Sequence, residues 1–383
     1  MLLIIAAAVP VVIWLYLLFA RGGFWRVSPA LADMPVTPVQ KHIVAVVPAR
    51  NEAAHIGGAI RSLLDQDFPA PLHVVVVDDQ STDGTAEAAR AEAERTGGTA
   101  RVTVIRGKPL IPGWTGKLWA VSQGIEAAAA LDPDYLLLTD ADILHSRTSV
   151  AELVRVAESL GCDLASYMVK LRCETAAEKF LMPAFVFFFL MLYPPRWIAA
   201  RRKKTAGAAG GCILIRPEAL KRIGGFSAIR NEVIDDCALG RAVKRSGGRI
   251  WMGLTPHTES MRGYGTAAEI GRMISRTAFN QLHHSAVMLV LTLLALSVTF
   301  LLPVGLLFSR SLIPAALGIS AWFLMAAAYR PMVRFYQLSP WRSFGLPLVA
   351  LFYAAATLHS ALQYWRGKGG EWKGRIQDLR ASG

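Results

Sequence analysis

The chain has 383 residues, of which 53% are hydrophobic and only 18% charged, and its formal net charge is +13. This length fits one large domain or two ordinary ones, and the charge content is low for a soluble globular protein. The basic residues cluster beside apolar segments, as in Arg201–Lys204, which indicates a membrane and argues against nucleic acid as the partner. The four cysteines are far apart and form no C-x-x-C pair, so reduced thiols in a cytosolic domain are expected.

The amino-terminal segment, residues 1–20, is almost wholly apolar and long enough to span a bilayer. No basic segment precedes it and no small-residue cleavage site follows it, whereas Arg21 and Arg26 do follow. This pattern favours a retained anchor, with its carboxyl end in the cytoplasm, over a cleaved signal peptide. We therefore expect a transmembrane anchor over residues 1–22 and a proline-containing linker over residues 23–41.

From His42 onward, short β-branched runs alternate with helical segments. The expected strands are residues 42–47, 72–77, 101–105, 135–139 and 249–253, and the expected helices are residues 53–64, 82–95, 116–130 and 236–245. Strands alternating with helices predict a parallel sheet with right-handed crossovers. No G-x-G-x-x-G follows the first strand and no G-x-x-x-x-G-K-[ST] occurs, which argues against dinucleotide-binding and P-loop functions.

Several later segments are apolar. Residues 180–193 are short for a span and are expected to break at Pro183, so we expect the segment 180–198 to lie at the membrane interface or to re-enter it. Three longer apolar segments are expected to form three transmembrane helices within 286–365, with Arg330, Arg334 and Arg342 in a cytosolic loop. The basic tail over 366–383 then lies outside, against the positive-inside rule.

Acidic residues occur where expected strands end. Asp140 and Asp142 follow the fourth strand. Ligands of open α/β sheets bind at the carboxyl ends of strands, and residues i and i+2 of an extended segment face one side. The two carboxylates are therefore expected to reach one ligand or one hard cation such as Mg²⁺ or Mn²⁺; the alternative is a simple turn.

The loop after the second expected strand, residues 77–85, carries several side-chain acceptors. Asp79 is expected to face a ligand and could accept from the N–H edge of a base or from ribose hydroxyls. Asp83 and Thr85 are expected to shape the start of the next helix, with an N-cap at Thr82 or Asp83. The loop after the first strand holds Asn51, which is either a polar group of the site or a helix cap.

Four motifs in order identify the family that the sequence resembles. Val-Pro-Ala-Arg-Asn-Glu at 47–52, Val-Asp-Asp-Gln-Ser-Thr-Asp-Gly-Thr at 77–85, Asp-x-Asp at 140–142 and the acidic pair at 235–236 look like the family 2 glycosyltransferases with the GT-A fold. The match covers about residues 40–280. The motif 112–120, the apolar interruption near 185 and the three-segment tail are similar to the bacterial hopene-associated glycosyltransferases. Ceramide and carotenoid glycosyltransferases look like more distant relatives.

This resemblance implies a fold and a set of roles. The fold is α/β, a GT-A (Rossmann-like) nucleotide-sugar domain over 42–280, inserted between the N-terminal transmembrane helix and the C-terminal transmembrane helices. The residues implied to bind the nucleotide sugar are Pro48, Arg50, Glu52, Asp79, Lys117, Asp140 and Arg276. Asp142 is implied to hold Mg²⁺ or Mn²⁺ on the diphosphate, and Asp236 to be the catalytic base. The loop implied to line the sugar and the acceptor contains Gly210, Gly211 and Cys212.

Three points qualify these roles. Lys117 has a simpler alternative, a solvated lysine at a helix start. Asp235 is the nearer N-terminal acid and could cap the helix alone, which would leave Asp236 for the acceptor hydroxyl. Residues 273–277 keep Arg276 but lack the flanking glutamine and tryptophan of Gln-x-x-Arg-Trp, which argues against a polymerising synthase.

The chemistry of sugar transfer fits the same assignment. A divalent cation can neutralise a leaving nucleoside diphosphate, and one carboxylate on the opposite side of the sugar suffices as the base. The sequence therefore predicts a membrane-bound, inverting glycosyltransferase, multi-pass in the bacterial inner membrane, with its catalytic domain in the cytoplasm. Its expected substrates are a nucleotide sugar, with a UDP-sugar favoured, and a lipid of hopanoid or isoprenoid type. The alternatives are a polysaccharide synthase and a catalytically silent scaffold that binds nucleotide sugar.

Overall fold

The structure, a computed structural model, describes residues 2–27, 40–70, 72–367, 371–372 and 375–376. The chain forms two compact units. The sheet unit contains the described residues of 28–172, 197–262 and 371–383, and the helical unit contains those of 1–27, 173–196 and 263–370. Most of the predicted linker, 23–41, and of the predicted basic tail, 366–383, lies outside the described residues.

Within the described residues, eight strands form one sheet. Its strands are β1 (Ile43–Ala49), β2 (Leu72–Asp78), β3 (Val102–Arg106), β4 (Tyr135–Thr139), β5 (Ile143–His145), β6 (Leu164–Lys170), β7 (Cys212–Ile215) and β8 (Ile250–Ser260). Their order across the sheet is β3-β2-β1-β4-β7-β6-β8-β5. Two further strands, β9 (Glu371–Trp372) and β10 (Arg375–Ile376), pair with each other in antiparallel fashion.

The helices are distributed over both units. In chain order they are α1 (Leu2–Phe19), α2 (Ile56–Leu64), α3 (Thr85–Arg95), α4 (Gly116–Ala129), α5 (Ser149–Leu160), α6 (Ala176–Leu192), α7 (Pro195–Ala199), α8 (Pro217–Ile223), α9 (Asp235–Arg245), α10 (Ala267–Ser275), α11 (Ala278–Gln281), α12 (Ala286–Leu296), α13 (Leu302–Gly305), α14 (Leu312–Phe335) and α15 (Leu346–Trp365). Helices α2–α5, α8 and α9 belong to the sheet unit.

The first half of the sheet has the predicted parallel pairing. β1 lies between β2 and β4 and is parallel to both, and β2 is parallel to β3. The second half departs from the prediction, because β7 is antiparallel to β4 and β6, and β5 is antiparallel to β8. β8 also extends to Ser260, well beyond the strand predicted over 249–253. The sheet is therefore mixed.

The core of the sheet unit explains why these segments pair. All seven residues of β1 are buried, since helices cover the sheet and the strand consists of apolar, mostly β-branched residues. Helix α4 packs closely on β1 and β2 at Gly124, where a Cβ atom would lie only 2.4 Å from Cγ1 of Val46. The glycine thus brings α4, which begins beside the carboxyl end of the sheet, against the two central strands.

The helical unit is built from apolar helices. α6 begins at a capping box in which Thr175 Oγ1 accepts from Glu178 N at 3.1 Å and Glu178 Oε2 accepts from Thr175 N at 2.8 Å. The helix continues through Pro183, so the predicted break there is wrong; buried packing on both sides of the proline holds the helix together. α1 packs on α14, and Trp14 Nε1 donates to Thr299 O at 2.9 Å.

Helix length separates the described apolar segments into two classes. Four stretches of the described residues are long and apolar enough to cross a membrane, namely Ala176–Ala199, Ala286–Phe308, Leu312–Phe335 and Pro340–Trp365, whereas the apolar helix Leu3–Phe19 is shorter. The first stretch includes the segment predicted to be interfacial, and that position stays a prediction. α14 runs to Phe335, so Arg330 and Arg334 lie in a helix and not in the predicted loop.

Candidate active site

A pocket opens at the carboxyl ends of the central strands. It is lined by residues from β1, the end of β4, α4, β7 and the loop before it, the segment between α8 and α9, and α9: Pro48, Lys117, Val121, Leu138, Thr139, Asp140, Gly210, Ile213, Phe226, Asp235, Asp236 and Leu239. Pro48, Lys117, Asp140, Gly210, Asp235 and Asp236 are among the residues predicted from sequence. Four of those six are charged, so the pocket combines an apolar wall with one cation and three carboxylates.

Lys117 lies at the centre of the charged residues. It is the second residue of α4, and its Nζ atom lies 2.8 Å from Asp140 Oδ1 and 3.4 Å from Asp235 Oδ2. Burial alone would lower the pKa of the Lys117 ammonium, but the charges of Asp140 and Asp235 outweigh burial and raise that pKa above its ordinary value. The ammonium therefore stays charged, and the alternative of a solvated lysine is wrong.

Asp236 is held by two backbone N–H groups. Its Oδ2 accepts from Gly210 N at 2.9 Å and its Oδ1 accepts from Cys237 N at 2.7 Å. Burial and then the neighbouring charge of Asp235 raise the pKa of Asp236 to about 6, against the opposing effect of Lys117. A carboxylate with this pKa is ionised at neutral pH and is a stronger base than an ordinary aspartate.

The capping role expected for Asp235 is wrong. Helix α9 begins at Asp235, its N-cap is Ile234, and no side chain caps it. The capping role would place Asp235 just before the first helical residue. The helix instead begins one residue earlier, so Asp235 and Asp236 are its first two residues. Asp235 contacts Lys117 instead. Carboxylates in a first helical turn are still favoured by the helix dipole.

Two buried side chains, Thr139 and His145, hold the glycine loop before β7 in place. The Thr139 hydroxyl donates to Gly211 O at 2.8 Å, so its oxygen accepts from His145 Nε2 at 2.9 Å. Burial lowers the pKa of His145 to about 4, so the ring is neutral at neutral pH. The Cys212 side chain lies in the hydrophobic core, and burial raises the pKa of its thiol to about 12. Of the three loop residues predicted, Gly210 is the one that lines the pocket.

A second cluster forms around an arginine that the sequence analysis missed. Arg262 Nε donates to Asp142 Oδ2 at 2.7 Å, and Arg262 Nη2 donates to Glu52 Oε1. Burial alone would lower the pKa of Arg262, but Asp142 and Glu52 outweigh it and raise that pKa further above its ordinary value. The site therefore contains a permanent cation between two buried carboxylates.

The antiparallel pairing of β5 and β8 brings Arg262 to Asp142. Ile143 pairs with Ser260, and Met261 N donates to Asp142 O at 2.8 Å, so the next residue reaches the carboxylate. Arg262 is 120 residues from Asp142 in the chain. The sequence indicates Arg262 in one way, by its position shortly after a strand. This indication could be used only if β8 were predicted to extend to Ser260.

Asp140 and Asp142 take different partners. β4 ends at Thr139 and a turn follows, so the i, i+2 argument for an extended segment does not apply to them. Asp140 contacts Lys117, whereas Asp142 contacts Arg262. Burial raises the pKa of Asp140, with the charge of Asp142 adding to the effect against the opposing charge of Lys117. The two carboxylates are thus close enough to interact but are each neutralised separately.

The loops after β1 and β2 are bonded to each other. Arg50 Nη1 donates to Asp79 O at 2.7 Å, and Asn51 Oδ1 accepts from Thr82 N at 2.9 Å. Asn51 is not the N-cap of α2, which begins at Ile56 with His55 as its N-cap. Hydrogen bonds therefore join the loops after β1 and β2 to each other at the carboxyl ends of these strands.

The start of α3 corrects one more expectation. The N-cap is Gly84, in the left-handed conformation with φ 85°, and not Thr82 or Asp83. Asp83 still shapes the start of the helix, because its Oδ1 accepts from Thr85 N at 3.1 Å, as in an Asx turn. Asp79 is almost fully buried, at 1% exposed.

The donor set is compatible with a hard divalent cation. Within the described residues, no group donates a hydrogen bond to Asp142 Oδ1, although Oδ2 is bonded to Arg262. The same residues contain no group of three or more His, Cys, Asp or Glu side chains that could enclose a metal. A cation here would therefore take few protein ligands and would rely on phosphate oxygens and water, as Mg²⁺ commonly does. Arg276 follows α10 in the helical unit, and its predicted contact with the diphosphate stays a prediction.

The chain is similar to known glycosyltransferases in part of its sequence and in its fold. The chain is 33% identical over 115 residues to 4,4'-diaponeurosporenoate glycosyltransferase of Staphylococcus aureus, a match that covers 29% of this chain and 27% of that relative. The chain thus spans little more than a quarter of the relative's length. A solved structure, the mannosyltransferase PcManGT of Pyrobaculum calidifontis in complex with GDP-Man and Mn²⁺, matches with a TM-score of 0.59 and 19% identity, covering 94% of this chain and 99% of that one.

These similarities establish the fold and the family. The match to the mannosyltransferase confirms the predicted GT-A fold, a mixed Rossmann-like sheet. The sequence pattern of the family described as "Glycosyltransferase like family 2" matches residues 40–277, which is more than half of the chain. The chain therefore belongs to the family 2 glycosyltransferases.

Proposed function

We propose that this protein is a membrane-bound, inverting glycosyltransferase that moves a sugar from a nucleotide sugar to a lipid acceptor. The observation that carries the proposal is the Asp236 carboxylate, which lies in the pocket, is held by two backbone N–H groups and has a pKa of about 6. A base of this strength suits removal of a proton from an acceptor hydroxyl near neutral pH.

The reaction requires one displacement at the anomeric carbon. The acceptor oxygen forms a bond to that carbon while its proton passes to Asp236. The bond from the carbon to the diphosphate oxygen breaks, and its electron pair leaves with the nucleoside diphosphate. Attack from the side opposite the leaving group inverts the configuration, and no enzyme nucleophile takes part. Asp236, which lines the pocket, would be the one base that this path requires.

Two cations of the sheet unit support a role for this sheet edge in stabilising a leaving diphosphate. Lys117 and Arg262 are permanent positive charges at this sheet edge, and Arg276 is proposed as a further contact. Asp142 would hold Mg²⁺ or Mn²⁺, which when bound would neutralise charge on the diphosphate. We further propose that Pro48, Arg50, Glu52 and Asp79 border the nucleotide and that Asp140 contacts its ribose. Gly210 and Gly211 would border the sugar and the acceptor, with Cys212 supporting their loop from the core.

A lipid acceptor is supported by the helical unit. Among the described residues, four helices are long and apolar enough to cross a membrane, and a small soluble acceptor would not require them. The matched relative is named for a carotenoid-type compound, diaponeurosporenoate. We therefore propose an isoprenoid or hopanoid lipid as the acceptor, and the cytoplasmic membrane of a bacterium as the location. The catalytic unit would face the cytoplasm, where nucleotide sugars are made.

A transfer assay tests the proposal. Purified full-length protein is incubated with radiolabelled UDP- and GDP-sugars, Mn²⁺ and bacterial membrane lipids, and the organic phase is counted. Label in a discrete lipid product is expected with one donor and is expected to be absent for Asp236→Asn. Label in a long polymer would indicate a polysaccharide synthase. Donor binding without any transfer would indicate a silent scaffold. Mass spectrometry of lipids from a deletion strain, which should lack one glycolipid, then identifies the acceptor.

A further inference from the structure

Arg262 is placed to act on both the cation and the diphosphate. Its guanidinium bonds Asp142 through Nε and Glu52 through Nη2, and each nitrogen takes a different carboxylate. Both acids are buried, at 6% and 7% exposed, whereas the Arg262 side chain is 35% exposed. The guanidinium thus holds two buried charges, while the Arg262 side chain as a whole remains partly exposed.

This arrangement disfavours a divalent cation that arrives alone. Asp142 has one oxygen bonded to Arg262 and, within the described part of the chain, no hydrogen-bond donor on the other. A cation on that second oxygen would lie close to the guanidinium, and two positive groups would share two carboxylates. Like charges at such distances repel strongly in a partly buried site. The cation therefore needs a further anion before it can bind well.

A diphosphate supplies that anion to both groups. Arginine binds phosphate oxygens in a bidentate manner, and hard divalent cations take most of their remaining ligands from substrate phosphates. We propose that Arg262 makes binding of the divalent cation and binding of the donor diphosphate depend on each other. This inference rests on the proposed function. By linkage, each ligand raises the affinity for the other by the same factor.

The test measures Mn²⁺ binding directly, without turnover. Free Mn²⁺ is measured by electron paramagnetic resonance with full-length protein in detergent, alone and with saturating UDP or GDP, and the same titrations without protein account for Mn²⁺ chelated by the free nucleotide. In the wild type, the better nucleotide should tighten Mn²⁺ binding by at least about tenfold. In Arg262→Gln, Mn²⁺ alone should bind more tightly than in the wild type, and the gain from the nucleotide should fall below about threefold.

Two further variants keep the test decisive. Arg147→Gln removes an exposed arginine paired with Asp67 and should behave as the wild type, because that pair is part of neither cluster. Arg262→Lys keeps the charge but loses the planar fork, so Mn²⁺ alone should bind as weakly as in the wild type while the gain from the nucleotide falls. If Arg262→Gln does not fold, Arg262→Lys decides.

The outcomes separate this inference from the proposed function. An unchanged nucleotide gain in folded Arg262→Gln, or in Arg262→Lys where the glutamine variant does not fold, overturns the role of Arg262. A wild type that binds Mn²⁺ and nucleotide without any mutual gain also overturns it, while leaving a transferase intact. A wild type that binds neither Mn²⁺ nor UDP nor GDP contradicts the proposed function itself.

Discussion

The Nζ atom of Lys117 lies 2.8 Å from Oδ1 of Asp140 and thereby links the start of α4 to the end of β4. The same ammonium lies 3.4 Å from Asp235, the first residue of α9. One cation therefore joins the consecutive elements α4 and β4 to α9, which lies about 100 residues further along the chain. Because it neutralises part of the acidic cluster, it also limits how far the pKa of Asp236 rises.

The pH dependence of transfer follows from the pKa of Asp236. Burial and the charge of Asp235 raise this pKa to about 6, and the base acts in its ionised form. The ionised fraction falls as pH drops below that value, so kcat/KM should fall about tenfold per pH unit on the acidic side. Rates measured between about pH 4.5 and 8, with stability checked at each pH, would reveal this limb. A flat profile down to the ordinary range of aspartate would contradict the assignment.

Removal of the Lys117 charge should shift the acidic limb of the profile of kcat/KM against pH. Lys117→Met leaves Asp140 and Asp235 without their cation, so the pKa of Asp236 should rise and the acidic limb should shift to higher pH. Lys117→Arg keeps the charge and serves as the control, with a limb near that of the wild type. The measurement is kcat/KM against pH for the three proteins. If the methionine variant lowers the rate without shifting the limb, Lys117 does not act through the carboxylates.

Asp142 should be needed for metal-dependent turnover. Asp142→Asn keeps the size of the side chain but removes the charge that would hold Mg²⁺ or Mn²⁺. Loss of groups behind a metal ligand costs about 10- to 100-fold, and loss of a ligand itself should cost at least as much. Initial rates against Mn²⁺ concentration, and after EDTA treatment, provide the measurement. Full wild-type activity in EDTA would rule out the metal.

Gly240 keeps α9 close to the loop that carries Gly210. A Cβ atom at residue 240 would lie 2.9 Å from the backbone carbon of Gly207, which cannot move aside as a side chain could. Gly240→Ala should therefore lower the free energy of unfolding by about 1–3 kcal/mol, since it overpacks this contact. It should also lower turnover by displacing Asp236 from Gly210 N.

Gly57→Ala is the matched control for that variant. Gly57 also lies in a helix, but its nearest neighbours to a new Cβ atom are 3.7 Å away, an ordinary contact. The substitution should be neutral or stabilise the protein by up to about 1 kcal/mol, because alanine favours helix over glycine. Thermal unfolding and turnover of both variants provide the comparison. Equal stability of the two alanine variants would show that the backbone at Gly207 adjusts without cost.

The sequence predicted those features of the fold that depend on interactions between residues close together in the chain. The first four strands and the helices between them follow from β-branched runs and helical periodicity, and the parallel pairing follows from their alternation. The ends of those strands located Asp79 and Asp140 at one edge, and the family resemblance pointed to Lys117 at the start of a helix. The family resemblance then pointed to Asp236 as the base, a role that still awaits measurement.

The features that could not be predicted depend on contacts between residues that are far apart in the sequence. Arg262 reaches Asp142 because β5 and β8 pair in antiparallel register, and no local pattern encodes that register. The different roles of Asp140 and Asp142 likewise depend on the tertiary fold, because Asp140 forms its ion pair with Lys117 and Asp142 forms its ion pair with Arg262. The helix start at Asp235 was missed because N-cap rules favour a polar side chain, whereas Ile234 occupies that position here.

The most direct test of the proposed mechanism compares Asp236→Asn with Asp235→Asn. The asparagine at 236 keeps the shape of the side chain and one acceptor oxygen but removes the basicity, so the variant should fold and still bind nucleotide sugar. Its turnover should fall by at least about a hundredfold, the lower range for general base catalysis, while Asp235→Asn should retain more activity. Normal turnover by Asp236→Asn with an inactive Asp235→Asn would place the base one residue earlier. Normal turnover by both variants would contradict the account.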